Sequence, residues 1–159
     1  MLKTIELQKM TASQIAETLN GLIEICIDGE KGFAEAAADV RDPELKSFLQ
    51  GRSLERAGFV AALQNEVVGL GRFAENQGTA RGTAHRAWTA VREGIEGHHD
   101  RLVLDECDIG ERTAKRVYET ALNAMIDRVP PLTRQLVQNQ YERVEASLAS
   151  IGQRRPRAS

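Results

Sequence analysis

A chain of 159 residues, 42% hydrophobic and 28% charged, is long enough to bury one substantial core and too apolar for intrinsic disorder. Its formal net charge of -2 offers no electrostatic footprint for nucleic acid or an anionic membrane, and no apolar run approaches the roughly 20 residues that span a bilayer. Aromatic residues make up only 4%, so Leu, Ile, Val and Ala must build the core, and the two cysteines, without metal-type spacing, suit thiols in a reducing cytoplasm.

Residues 1–12 read as a short leader without a signal-peptide core, and Thr11 or Ser13 can cap the first long helix. That helix is expected to reach about residue 40, because Ile15, Leu19, Leu22, Cys26, Gly29, Phe33, Ala36 and Val40 recur every three or four positions. Glu24, Asp28, Lys31 and Glu35 fall on the opposite face, while Glu30 lies close enough to the seam to point inward. Asp42-Pro43-Glu44 combines an Asp cap, a proline at the first helical position and an acid in the first turn, so a second, antiparallel helix starts there. Leu45, Phe48, Leu49, Phe59, Leu63, Val67 and Leu70 form its seam; Arg52 and Arg56 share that seam and Glu55 sits at its margin.

Residues 71–99 are too long for a tight turn and read as a crossover along the bundle, with a short amphipathic pattern at Ala84, Trp88, Val91 and Ile95. His85, His98 and His99 are expected to be solvated there. A third helix follows through Leu104, Cys107, Glu111, Ala114, Tyr118, Leu122 and Met125, and Pro131 opens a fourth through Val137, Tyr141, Val144, Leu148 and Ile151. Gln140 is placed inside, Glu145 at the margin, and Gly152 at the stop, leaving residues 153–159 as a frayed basic tail. No stretch alternates with the period of a strand. The fold class is therefore all-α, an up-down four-helix bundle over residues 13–152 with a long crossover between the second and third helices.

One phrase occurs twice, as Cys26-Ile27-Asp28-Gly29-Glu30 and Cys107-Asp108-Ile109-Gly110-Glu111. Its recurrence in the first and third helices makes the two helix pairs pseudo-symmetric, the plan of ferritin-like bundles. In both copies the glutamate follows the cysteine by one turn, which brings a carboxylate to an apolar face. A carboxylate there needs a proton, a metal or a cation.

Carboxylate-bridged metal bundles place single glutamates on two helices and Glu-x-x-His on the other two. Glu30 and Glu111 occupy the single positions, whereas Glu55 and Glu145 are followed three residues later by Gly58 and Leu148 instead of histidine. Three readings follow. Glu30, Glu55, Glu111 and Glu145 hold iron or manganese through oxygen alone, giving a metal-binding or oxidase protein. Alternatively Arg52 and Arg56 replace the metal and pair with Glu30 and Glu111 in a buried network with Gln140 and Tyr141, giving a non-catalytic bundle without a cofactor. In the third, the arginines reach solvent and the acids are protonated or hydrated. The second is preferred, with a homodimer as the expected assembly and no nucleic-acid or membrane partner. Nucleophile chemistry has no support, since neither cysteine has a histidine at helical spacing.

The chain also resembles a group of uncharacterised bacterial ferritin-like four-helix proteins classed as a domain of unknown function. The resemblance rests on Leu19-Asn20-Gly21-Leu22-Ile23-Glu24, Asp28-Gly29-Glu30-Lys31-Gly32-Phe33, Asp42-Pro43-Glu44-Leu45-Lys46, His85-Arg86-Ala87-Trp88, Gly110-Glu111 and Gln140-Tyr141. It implies the bundle fold and a bacterial source. It also implies a histidine on the fourth helix where this chain has Leu148.

Overall fold

The structure, a computed structural model, describes residues 8–79 and 99–159. The expectations for Ala84, His85, Trp88, Val91, Ile95 and His98 lie outside those residues. Four long helices carry the fold: α1 (Ala12–Asp39), α2 (Pro43–Gly69), α3 (His99–Met125) and α4 (Pro131–Arg154). Among the described residues there is no strand, and no helix is long and apolar enough to cross a membrane.

Local chemistry sets each helix end. Thr11 caps α1 through a reciprocal capping box with Gln14, and Asp42 caps α2 by accepting from the Leu45 N–H, with Pro43 at the first helical position. Gly71 takes φ 72° just beyond α2, and the Arg72 and Gly71 N–H groups close back on the Val67 and Val68 carbonyls, a Schellman ending. The turn between α1 and α2 has a further anchor that the sequence pattern did not mark. The Asp100 carboxylate, at the start of α3, accepts from the Arg41 and Asp42 backbone N–H groups at 2.8 and 3.0 Å.

Three sides of the bundle are closely packed helix pairs, α1–α2, α1–α3 and α3–α4, all antiparallel. The fourth side, α2–α4, is wider and is bridged by side chains: Thr133 donates to Glu66 at 2.7 Å, Gln140 to the Phe59 carbonyl at 3.4 Å, and Arg143 to Glu55 at 2.7 Å. The crossover begins by packing back onto α1 and α2. Asn20 bonds the Phe73 carbonyl and the Glu75 N–H, Gln64 donates to the Glu75 carbonyl, and Thr79 donates to Asp28. Asp28 is thus half-buried under the crossover and does not face solvent as its wheel position suggested. Gly78 is dictated by this approach, because a Cβ there would lie 2.3 Å from the Asp28 carboxylate.

Two sequence expectations at the C-terminal end are corrected. α4 does not stop at Gly152 but runs to Arg154, followed by a 3-10 turn at Arg155–Arg157. These residues are not frayed. Arg155 pairs with Asp105 at 2.8 Å, Ala158 packs on the core, and the Ser159 carbonyl accepts from the Asp100 N–H at 2.9 Å.

Candidate functional site

The apolar core is divided in two. One cluster, around Leu19, Leu22, Leu63, Tyr118 and Val137, fills the half that holds the N-terminus of α1; another, around Phe33, Leu49, Leu104 and Ile151, fills the opposite half. Each helix carries a non-hydrophobic residue between its contributions to the two clusters: Gly29 on α1, Arg56 on α2, Glu111 on α3 and Ser147 on α4. They form one polar layer across the middle of the bundle.

The layer is built around an ion pair. Arg56 on α2 reaches diagonally to Glu111 on α3, Nη2 to Oε2, with the two side chains only 1% and 2% exposed. Gly29 makes space for the arginine stem, since a Cβ at that position would sit 3.3 Å from the Arg56 Cγ. The guanidinium lies between two aromatic faces, 5.7 Å from the Phe33 ring centroid and 5.1 Å from that of Phe59, where the ring quadrupoles favour a cation. Burial pushes the Glu111 carboxyl up, and the positive charge of Arg56 pulls against that rise. The geometry is an acid and a base committed to each other.

A second chain of polar groups adjoins the layer. The Tyr118 hydroxyl donates to Gln140 Oε1 at 2.7 Å, so the Cys26 thiol is the donor in its 3.0 Å contact with the Tyr118 oxygen. Burial pushes the Cys26 thiol up to about 11 and holds Tyr118 well above the ordinary tyrosine value. Cys107 is displaced further in the same direction by burial and by Glu111, Glu106 and Asp108. Both cysteines are free and neutral at ordinary pH. Held neutral by burial, these thiols and this phenol are poor nucleophiles at ordinary pH.

The expected site residues are only partly brought together. Arg56, Glu111 and Gln140 belong to the interior. Glu30 does not: its side chain has no ion pair among the described residues, and its backbone carbonyl instead accepts from Ser53 at 2.8 Å. The reason is a one-residue difference in register between the repeated phrases. In the first copy glycine faces the core and the glutamate is turned one position away; in the second the glutamate faces the core and Gly110 is exposed. Arg52 likewise leaves the interior, stacking on Phe48 at 5.5 Å and reaching Glu55 at 3.4 Å. Tyr141 is half-buried and donates to Glu119 at 3.2 Å, apart from Gln140. His99, expected in solvent, is instead 7% exposed at the start of α3, with Nε2 2.9 Å from the Asp39 carbonyl and 3.2 Å from its carboxylate.

The four acids of the metal reading were tested as a donor set. Glu111 is taken by Arg56; Glu55 by Arg143, through contacts of 3.0 and 2.7 Å, and by Arg52; and Glu145 lies on the surface 3.7 Å from Lys115. Three of the four carboxylates are drawn to cations at separate places; among the described residues Glu30 has no ion pair, and no group of three or more His, Cys, Asp or Glu side chains could hold a metal ion. The residues do not fit an iron or manganese pair. The middle of the bundle holds the Arg56 guanidinium beside Glu111.

Sequence reasoning missed Ser147, Thr133, Arg143 and Asp100. The first two could have been found: Thr133, Val137, Gln140, Val144, Ser147 and Ile151 keep a strict four-three spacing and are the buried face of α4.

Comparison with known proteins agrees with the architecture. A family model described as a domain of unknown function, DUF2383, matches residues 14–124. Among solved structures, a mutant of Mycobacterium smegmatis Dps1 superposes with a TM-score of 0.73 over 91% of this chain and 96% of that one, at 12% identity, a likeness that shows the fold. No curated protein matches. With four helices, no strand among the described residues and this neighbour, the fold is ferritin-like, and the chain belongs to the DUF2383 family.

Proposed function

We propose that the protein is a non-catalytic ferritin-like bundle in which a buried arginine–glutamate pair takes the place of the metal. The observation that carries this reading is the Arg56–Glu111 contact in the central polar layer, flanked by two phenylalanine rings and by acids already committed to other cations. A permanent guanidinium neutralises Glu111 without any ion to load, oxidise or exchange. Its role is then to hold the bundle in one register, a use of buried polar pairs known from other helical assemblies. Anaerobic loading with Fe(II) or Mn(II), followed by elemental analysis, tests it. The wild-type chain should retain less than one ion per chain after desalting; one or more tightly held irons, lost in Glu111→Ala, would overturn it.

The same reading includes self-association as a homodimer. Supporting it, the outer face of α2 carries no charge between Ser47 and Val68, and on it Leu54 and Val68 are 74% and 63% exposed. A neutral face can meet a copy of itself without a like-charge penalty. Light scattering at micromolar concentration should give twice the chain mass. The two free thiols support a reducing, intracellular setting.

A further inference from the structure

At the end of the α2–α4 side where α4 finishes, positive charge is left over. Four arginines, Arg52, Arg56, Arg143 and Arg154, lie along this side, and the carboxylates that their guanidinium groups meet are those of Glu55 and Glu111. Glu111 is consumed by Arg56 and Glu55 chiefly by Arg143, so Arg52 keeps only a 3.4 Å contact at the edge of hydrogen-bonding range. Its Nε–H is buried without an acceptor. Arg154 has no carboxylate partner among the described residues. The two under-neutralised cations come from different helices yet converge on one ring: the guanidinium carbons of Arg52 and Arg154 lie 5.5 and 4.1 Å from the Phe48 centroid.

Like charges gathered around one aromatic ring, on the side of the bundle where the backbones stand farthest apart, present donors that the protein itself does not satisfy. Guanidinium groups match oxyanions through paired N–H donors, and the Phe48 ring fixes their planes and limits their rotamers. We propose that this end of the α2–α4 side binds a small doubly charged oxyanion, a phosphate monoester or a short dicarboxylate, bridged by Arg52 and Arg154 beside Phe48. A dianion would neutralise the Arg52 and Arg154 guanidinium groups together and supply the Arg52 Nε–H with an acceptor. The site is separate from the Arg56–Glu111 pair and stands whether or not that pair replaces a metal.

The test is a titration of the full chain with inorganic phosphate and, separately, succinate, against chloride at matched ionic strength, following the arginine Nε–Hε resonances. At least one dianion should give saturable shifts at Arg52 and Arg154 that chloride does not, and which probe saturates assigns the ligand to phosphate or dicarboxylate chemistry. Arg154→Gln should weaken that binding by about tenfold or more, because one of two charge-assisted contacts is gone. Arg154 is in the last turn of α4 and holds no ion pair, so this variant keeps its fold; Arg134→Gln, at the opposite end of α4, should bind like the wild type. No saturable shift with either probe, equal affinity in Arg154→Gln, or equal weakening in Arg134→Gln would overturn the proposal.

Discussion

The Arg56 guanidinium on α2 meets the Glu111 carboxylate on α3 across the diagonal of the bundle, and this contact ties together two helices that share no packed side. Desolvating both ions is expensive, and their attraction compensates only while both are present. Arg56→Met strands Glu111 among apolar groups and should cost about 3–5 kcal/mol; Glu111→Gln strands the arginine and should cost a similar amount. Urea unfolding at neutral pH measures both losses. Arg52→Met, whose guanidinium is partly exposed and weakly paired, should cost less than about 1 kcal/mol.

Alkaline pH should weaken the fold through Cys26. Burial raises its native value from 9.0 to about 11, so above pH 9 the unfolded chain gives up this proton while the folded chain keeps it. The stabilisation is fully present below pH 9 and is lost as pH rises through about 11; the two-unit shift corresponds to roughly 3 kcal/mol. Cys26→Ala, which cannot ionise, should lessen the dependence of melting temperature on pH over that interval, the remainder coming from Cys107 and Tyr118, which burial raises in the same direction, although it lowers stability at neutral pH by leaving a small cavity. A thiol reagent at pH 8 should label Cys26 only as fast as the protein opens.

Much of this fold was legible because helix boundaries have local chemical causes. Thr11 with Gln14, Asp42 with Pro43, and Pro131 each solve the problem of unpaired backbone groups at a helix end, and they do so wherever the chain later packs. The interior site was less legible, for reasons of angle and polarity. Hydrophobic spacing sets Gly29 on the seam and Glu30, about 100° further round the helix, still near enough to point inward, a margin that spacing alone does not resolve. The structure sets Gly29 against the Arg56 stem, where a Cβ would come within 3.3 Å of the Arg56 Cγ, a tight contact. Ser147 and Thr133 carry no apolar signal of their own and show only through the four-three spacing of the buried face of α4. His99 and Asp100 were read as crossover and helix start, and their contacts with Asp39, Arg41 and Asp42 depend on a chain reversal some 60 residues away that no local pattern encodes.

The Tyr118 hydroxyl serves two neighbours, so its removal should be felt by both. Tyr118→Phe leaves Gln140 Oε1 without its donor and the Cys26 thiol without its acceptor, in a part of the core that is shut to water. A loss of about 1–3 kcal/mol is expected from the buried amide oxygen alone. Thermal melts of Tyr118→Phe and of Tyr118→Phe combined with Gln140→Leu should show the second change recovering part of the loss, since the unsatisfied amide is then gone.

Asp100 should prove to be a local clamp. Asp100→Ala removes the acceptor of the Arg41 and Asp42 N–H groups at the α1–α2 turn. Amide hydrogen exchange at those two residues should accelerate, with a global loss of about 1–3 kcal/mol. Exchange at Leu19 and Leu63, deep in the other half of the core, should change only by the global amount.

The most direct measurement of the central claim is a double-mutant cycle on the diagonal pair. Arg56→Met, Glu111→Gln and the two combined are each unfolded in urea at neutral pH, and the coupling is the difference between the double loss and the sum of the single losses. If the two side chains neutralise each other in the core, the double variant should be more stable than that sum by about 2 kcal/mol or more, since each single change strands a charge that the double change removes. Losses that simply add, within about 0.5 kcal/mol, would contradict a buried pair standing at the centre of the bundle.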